Sequence, residues 1–179
     1  HIEHYERDTQ NACLVLTGTD VTLSDMDAPT IQMVRQREFC ATAEVTVSPA
    51  NVQKDGRLGL AAFYSNDYHY EIYYTEKDGS GRICLSRRIH DLEAVTAEHE
   101  VSEVSEKEAL CLRIIADKES YRFYYSLGAK APYVYLGCGD TAGLCTEITR
   151  TMTFTGVYFG MFAERATGAF REFKVTYKK

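Results

Sequence analysis

The chain has 179 residues, 45% of them hydrophobic, and a formal net charge of -6 at pH 7. That length suits a single domain with a sizeable core, and an acidic balance without a basic stripe argues against a nucleic-acid partner. No apolar run approaches the roughly 20 residues of a membrane span, and no signal-peptide pattern opens the chain. Because it begins at His1, the chain reads as a piece of a longer protein.

Residues 1–10 are polar and are expected to form a partly ordered tail. The His1/His4 pair there could bind metal on a helix but reads more simply as terminal sequence. From Ala12 onward the chain alternates apolar and polar residues as strands do, over 12–17, 31–36, 39–48, 57–64, 68–75, 82–88, 109–116, 120–127, 132–136, 157–163 and 169–178. Turn signals separate them, among them Asp55-Gly56, Asn66-Asp67, Asp78-Gly79-Ser80-Gly81 and Asp117-Lys118. The acidic run 91–108 reads as a solvated loop or edge strand, and 139–150 has room for one helical turn. Short antiparallel strands joined by hairpin turns predict an all-β, two-sheet antiparallel sandwich spanning residues 1–179 as one domain.

Six cysteines, Cys13, Cys40, Cys84, Cys111, Cys138 and Cys145, permit disulfides by their even count. Four of them lie inside strand-like runs, where cysteine serves as a small buried hydrophobe. A chain of this size needs no covalent staples, so free thiols, and with them a reducing compartment, are the expectation. Their spacing does not match a zinc site.

The usual catalytic constellations are missing from the sequence. Glycoside hydrolysis uses two carboxylates aimed at one bond, and neither Glu-x-Asp-x-x-Glu nor Glu-x-Asp-x-Glu occurs on a strand. There is no nucleophile elbow, phosphate loop or dinucleotide fingerprint. The chain by itself reads as non-catalytic, with no catalytic or metal-binding residue to name.

Aromatic and polar side chains are plentiful instead. The hairpin from Phe63 to Tyr74 carries six aromatic rings and one imidazole. Sugars stack their C–H faces on such rings and hydrogen-bond to hydroxyl, amide and imidazole groups. Tyr64, Asn66, Tyr68, His69 and Tyr70 are therefore candidate glycan-binding residues, although strand aromatics are also ordinary core. Alternation sends Tyr68, Tyr70, Ile72 and Tyr74 to one face and His69, Glu71 and Tyr73 to the other.

Several segments together resemble one family. Leu14–Gly18 followed by Ile31–Phe39, with its Arg35-Gln36 pair, looks like that family's opening. Leu58–Tyr64 with Tyr68–Tyr70, Leu112–Ile114 with Tyr121–Ser126, and Phe154–Met161 resemble its later motifs in the right order. The family is the C-terminal concanavalin A-like β-sandwich of family 43 glycoside hydrolases, the β-xylosidase type, also classed as carbohydrate-binding module family 91. The resemblance implies an N-terminal catalytic β-propeller outside this chain, against which the sandwich packs, and a xylan-type glycan as ligand. It also implies that Phe154, in the Phe154-Thr155-Gly156 turn, either closes the propeller's substrate pocket or caps the sandwich. Related sandwiches can hold a structural calcium. Here Arg171 stands where an Asp is expected, which puts that ion in doubt, and no other cofactor is implied. A free-standing lectin-like or adhesion domain is the alternative.

Overall fold

The computed structural model describes residues 1–101, 109–149 and 156–178. Eleven strands run through those residues: β1 (Tyr5–Asp8), β2 (Cys13–Thr17), β3 (Thr30–Arg35), β4 (Ala41–Ser65), β5 (Tyr68–Lys77), β6 (Ser80–Ile89), β7 (Leu92–Val101), β8 (Leu110–Ala116), β9 (Ser120–Leu127), β10 (Val134–Asp140) and β11 (Tyr158–Tyr177). All of their pairings are antiparallel.

Two long strands join the layers. The end of β4 pairs with β5 and its start with β8, while β11 lies beside β4 along both stretches. One layer is thus β3, the start of β11, the end of β4, β5, β6 and β7. The other is β1, β2, the end of β11, the start of β4, β8, β9 and β10. The two-sheet sandwich expected from the hairpin spacing is the fold observed.

The alternation predicts two strands where each of these long strands runs, 39–48 and 57–64 around the Asp55-Gly56 turn signal, and 157–163 and 169–178. The breaks between them are bends. Asp55 (φ 60°) and Arg165 (φ 45°) take left-handed conformations opposite each other, and the β4–β11 register shifts between Glu164 and Ala166. Bulges of this kind let one strand pass from one sheet into the next. Gly56 fits the corner because a Cβ there would lie 2.5 Å from the Arg165 carbonyl.

One further element differs from the expectation, and the acidic run takes one of the two forms expected of it. Tyr5–Asp8 pairs with β2 instead of trailing as a tail, and the Tyr5 hydroxyl bonds both the N–H (2.9 Å) and the carbonyl (3.1 Å) of Ile31. The acidic run contributes β7, at the edge beside β6, and residues 102–108 lie outside the described residues. One 3-10 turn, Thr141–Leu144, occupies the segment with room for a helical turn.

The inward faces form one apolar core that includes Leu58, Leu60, Tyr70, Ile72, Tyr74, Leu112, Ile114, Tyr121, Phe123, Phe159 and Met161. A smaller cluster of Leu23, Ala61, Tyr73, Cys84 and Phe162 lies on the opposite face of the first layer. All six cysteines are free thiols.

Candidate functional site

Tyr64 of β4 lines a cavity, and two tyrosines of β5 anchor a segment of its wall. The Tyr70 hydroxyl donates to the Asp140 carbonyl at 2.9 Å and the Tyr68 hydroxyl to the Ile148 carbonyl at 3.3 Å. Together they hold both ends of the segment that carries the Thr141–Leu144 turn. Burial pushes the Tyr70 hydroxyl up to about 12, so it stays a donor at neutral pH. Gly143 comes so close that a Cβ there would lie 1.9 Å from the Tyr70 oxygen.

Gln36 organises the facing wall. Its side-chain carbonyl accepts from the Tyr121 hydroxyl at 2.9 Å, its amide donates to the carbonyls of Glu38 and Phe39, and its backbone N–H donates to Val157. Tyr121 packs edge-on against Tyr70 and Phe159, and burial raises its pKa. A cavity of about 300 Å³ opens between these elements, walled by residues 36–39, Tyr64, Tyr121, Thr141, residues 144–146, Gly156 and Val157. The Phe39 ring at its mouth is 62% exposed. Glu38 is the single carboxylate side chain among the described wall residues, whereas bond cleavage by the usual glycosidase route uses two. The mixed aromatic, amide and hydroxyl lining suits a sugar ring or the side chain of a packed neighbouring domain.

The residues singled out from the sequence divide among different places. Tyr64 lines the cavity. Tyr68 and Tyr70 are 5% and 2% exposed, with their rings in the core and their hydroxyls on the rim segment. Phe154 lies outside the described residues, but Gly156 and Val157, which follow it, border the cavity, and Gly156 takes φ +71°.

Asn66 and His69 belong to the opposite face. The Asn66 amide donates to the carbonyls of Leu23 and Asp25, clasping the loop between β2 and β3. His69 is 1% exposed, stacked on Phe63, with Nδ1 3.0 Å from the Ser65 carbonyl and Nε2 3.0 Å from Glu71. Burial opposes charging this imidazole, but the Glu71 hydrogen bond and charge prevail and raise its pKa. Arg57 lies 3.2 Å from Glu71 and 3.9 Å from Glu164, both 1% exposed, and also pairs with Glu93. The Leu23 N–H donates to Glu164 at 2.7 Å. Burial and the neighbouring Glu71 charge push Glu164 up to about 7. Sequence reasoning missed this cluster, and its one local sign was a glutamate inside the apolar run Phe162-Ala163-Glu164.

Two other positions bear on metals. His1, Glu3 and His4 come together at the exposed terminus. Arg171, which stands where the resemblance expects an Asp, donates to the Ser48 hydroxyl at 3.0 Å.

A two-layer antiparallel sandwich with long shared strands, buried tyrosines and an end cavity is a concanavalin A-like domain. The chain matches the β-xylosidase C-terminal concanavalin A-like domain family over residues 3–177 and belongs to it. It is 27% identical over 150 residues to a non-reducing end alpha-L-arabinofuranosidase of Bacteroides ovatus, covering 84% of this chain and 27% of that protein. Its fold is similar to a xyloglucan-locus family 43 protein of the same organism (TM-score 0.87, 22% identity, 99% of this chain and 35% of that one). It is also similar to a xylan beta-1,4-xylosidase of Bacillus halodurans (TM-score 0.88, 15% identity, 98% and 35%). The chain therefore spans about a third or less of these relatives. A functionally unknown protein of Saccharomyces cerevisiae shares the fold (TM-score 0.67, 12% identity), and there the match covers 92% of the chain.

Proposed function

We propose that this sandwich is the accessory C-terminal domain of a glycoside hydrolase acting on xylose- or arabinose-containing glycans. It packs against a catalytic propeller and completes the substrate pocket. The observation that carries the reading is the end cavity: Gly156 and Val157, which follow Phe154 and Thr155 in the sequence, border it, and the exposed Phe39 ring stands at its mouth. An apolar ring left in water beside a cavity gains by being covered, by roughly 25 cal/mol for each Å² removed from solvent. On this reading the Phe154 ring closes the propeller's own pocket. Family membership over nearly the whole chain supports the same reading.

The test is hydrolysis of nitrophenyl arabinofuranoside and nitrophenyl xyloside by the enzyme that carries this domain, with and without residues 1–179. The reading expects a severe loss of kcat/KM on deletion, with the propeller still folded by circular dichroism. Equal kcat/KM values contradict it. A second reading, a free-standing lectin-like domain, is favoured by the Saccharomyces protein in which the sandwich makes up nearly the whole chain. A gene that encodes the sandwich without a propeller would select it.

A further inference from the structure

The outer face of the second layer lies on the opposite side of the sheet from the core. A single cross-strand row runs over it: Lys174 pairs with Glu44, Glu44 with Arg113, Arg113 with Tyr124 and Tyr124 with Tyr135. Five strands at the usual spacing of about 4.8 Å make that row about 19 Å long. At one end, Tyr124 and Tyr135 meet with ring centroids 5.4 Å apart and planes tilted by 59°, and Tyr135 is 50% exposed. In the middle, Arg113 stacks on the Tyr133 ring at 3.5 Å from its centroid, and the Tyr133 hydroxyl reaches Glu44 at 3.4 Å.

At the other end Glu44 holds Arg113 and, at 3.0 Å, Lys174. Beside this pair lies a depression of about 230 Å³ whose walls include Glu44, Arg113, Tyr133 and Lys174. Its charged side chains are two carboxylates, Glu44 and Glu172, and two cations, Arg113 and Lys174. The ionic groups therefore cancel. They still present directional donors and acceptors, next to open aromatic faces.

We propose that this face is a second glycan-binding site, separate from the end cavity, which takes a linear, uncharged oligosaccharide lying across the strands. The sugar rings stack on Tyr135 and Tyr124, and their hydroxyls bond Arg113, Glu44 and Lys174. The chemistry selects this ligand class. Ions paired within the protein offer little net attraction to a charged ligand, while aromatic faces beside fixed polar groups match the alternating C–H and hydroxyl surfaces of a pyranose. The row is long enough for several rings. The proposal rests on the accessory-domain reading only for its choice of xylan as the source of the chain.

The test is a titration of the 179-residue chain with xylohexaose and, separately, cellohexaose, followed by calorimetry or by shifts of tyrosine resonances. Saturable binding is expected, weakened about tenfold in Tyr135→Ala, the loss of one stacking ring. Thermal stability of that variant should stay unchanged, because half of the ring is already in water. Arg113→Met serves as a second variant with the same expected direction. Absence of binding by the unaltered chain overturns the proposal, as do affinities of Tyr135→Ala and Arg113→Met that equal that of the unaltered chain. Binding lost in Phe39→Ala but kept in Tyr135→Ala puts the ligand in the end cavity, which also overturns it and leaves the accessory-domain reading standing. If Tyr135→Ala slows hydrolysis by the whole enzyme while the isolated chain binds no sugar, the face is a domain contact instead.

Discussion

The Tyr70 hydroxyl and the Asp140 carbonyl, 70 residues apart in sequence, meet in a 2.9 Å hydrogen bond. This bond fixes the rim segment of the end cavity to the floor of the core, so the shape of the cavity depends on a buried tyrosine and not on the loop alone. Tyr70→Phe removes the bond and leaves a carbonyl short of a donor, at a cost of about 1–2 kcal/mol by urea unfolding. Gly143→Ala has a larger effect, because the new Cβ collides with the same hydroxyl. We expect about 2–3 kcal/mol, in the range of overpacked cores. If Gly143→Ala unfolds like the parent chain, the rim is not held as described.

The facing wall makes a second prediction. The Tyr121 hydroxyl, on a residue only 2% exposed, donates to the Gln36 side-chain carbonyl at 2.9 Å. A double-mutant cycle with Tyr121→Phe and Gln36→Ala should return a coupling of about 1 kcal/mol. A coupling indistinguishable from zero means that the two sides of the wall are independent.

Arg57 is the only cation within ion-pair distance of both Glu71 and Glu164 among the described residues. Its guanidinium also lies 4.8 Å from the Tyr73 ring. Arg57→Leu leaves two buried carboxylates without their shared partner. The expected loss is about 3–5 kcal/mol by denaturant unfolding. A loss under about 1 kcal/mol shows that water or a proton already compensates them.

The same cluster sets a pH dependence. Glu164, raised to about 7, keeps its proton in the folded state where the unfolded chain, near the ordinary value of 4.5, has lost it. The folded state therefore binds more protons in that window, and stability falls as pH rises from about 4.5 through about 7. His69 acts in the same direction: its raised pKa stabilises the fold in acid, and that contribution disappears as pH rises above 6.5 through the folded value. For Glu164 the swing is on the order of 3 kcal/mol, about 6–12 °C in Tm. Glu164→Gln, which keeps an acceptor for the Leu23 N–H, should flatten the acid part of the slope. A Tm that climbs with pH over this window contradicts the assignment.

Much of the fold was legible because β-strand alternation is local. Tyr121, Phe123 and Tyr125 alternate with Arg122 and Tyr124, and the core takes the set without the arginine. The division of Tyr68, Tyr70, Ile72 and Tyr74 from His69, Glu71 and Tyr73 could be read in the same way. The bends at Asp55 and Arg165 could not, since nothing local says whether a left-handed residue reverses a strand or redirects it. Asn66 shows the same limit for function. Its amide looked like a sugar donor beside aromatic rings, but its partners Leu23 and Asp25 arrive from more than 40 residues away. Gln36 was visible as part of a motif, while its role as the brace for Tyr121 depends on a contact 85 residues distant.

The accessory-domain account is tested most directly by Phe154→Ala in the whole enzyme, measured as kcat/KM on xylobiose and on xylohexaose. Loss of a ring that closes the pocket should lower the preference for the short substrate by about tenfold, the equivalent of about 1.4 kcal/mol of transition-state binding. The stability of this domain should stay as it was. An unchanged ratio of the two kcat/KM values, with domain stability lowered instead, would show that Phe154 caps the sandwich and takes no part in the pocket.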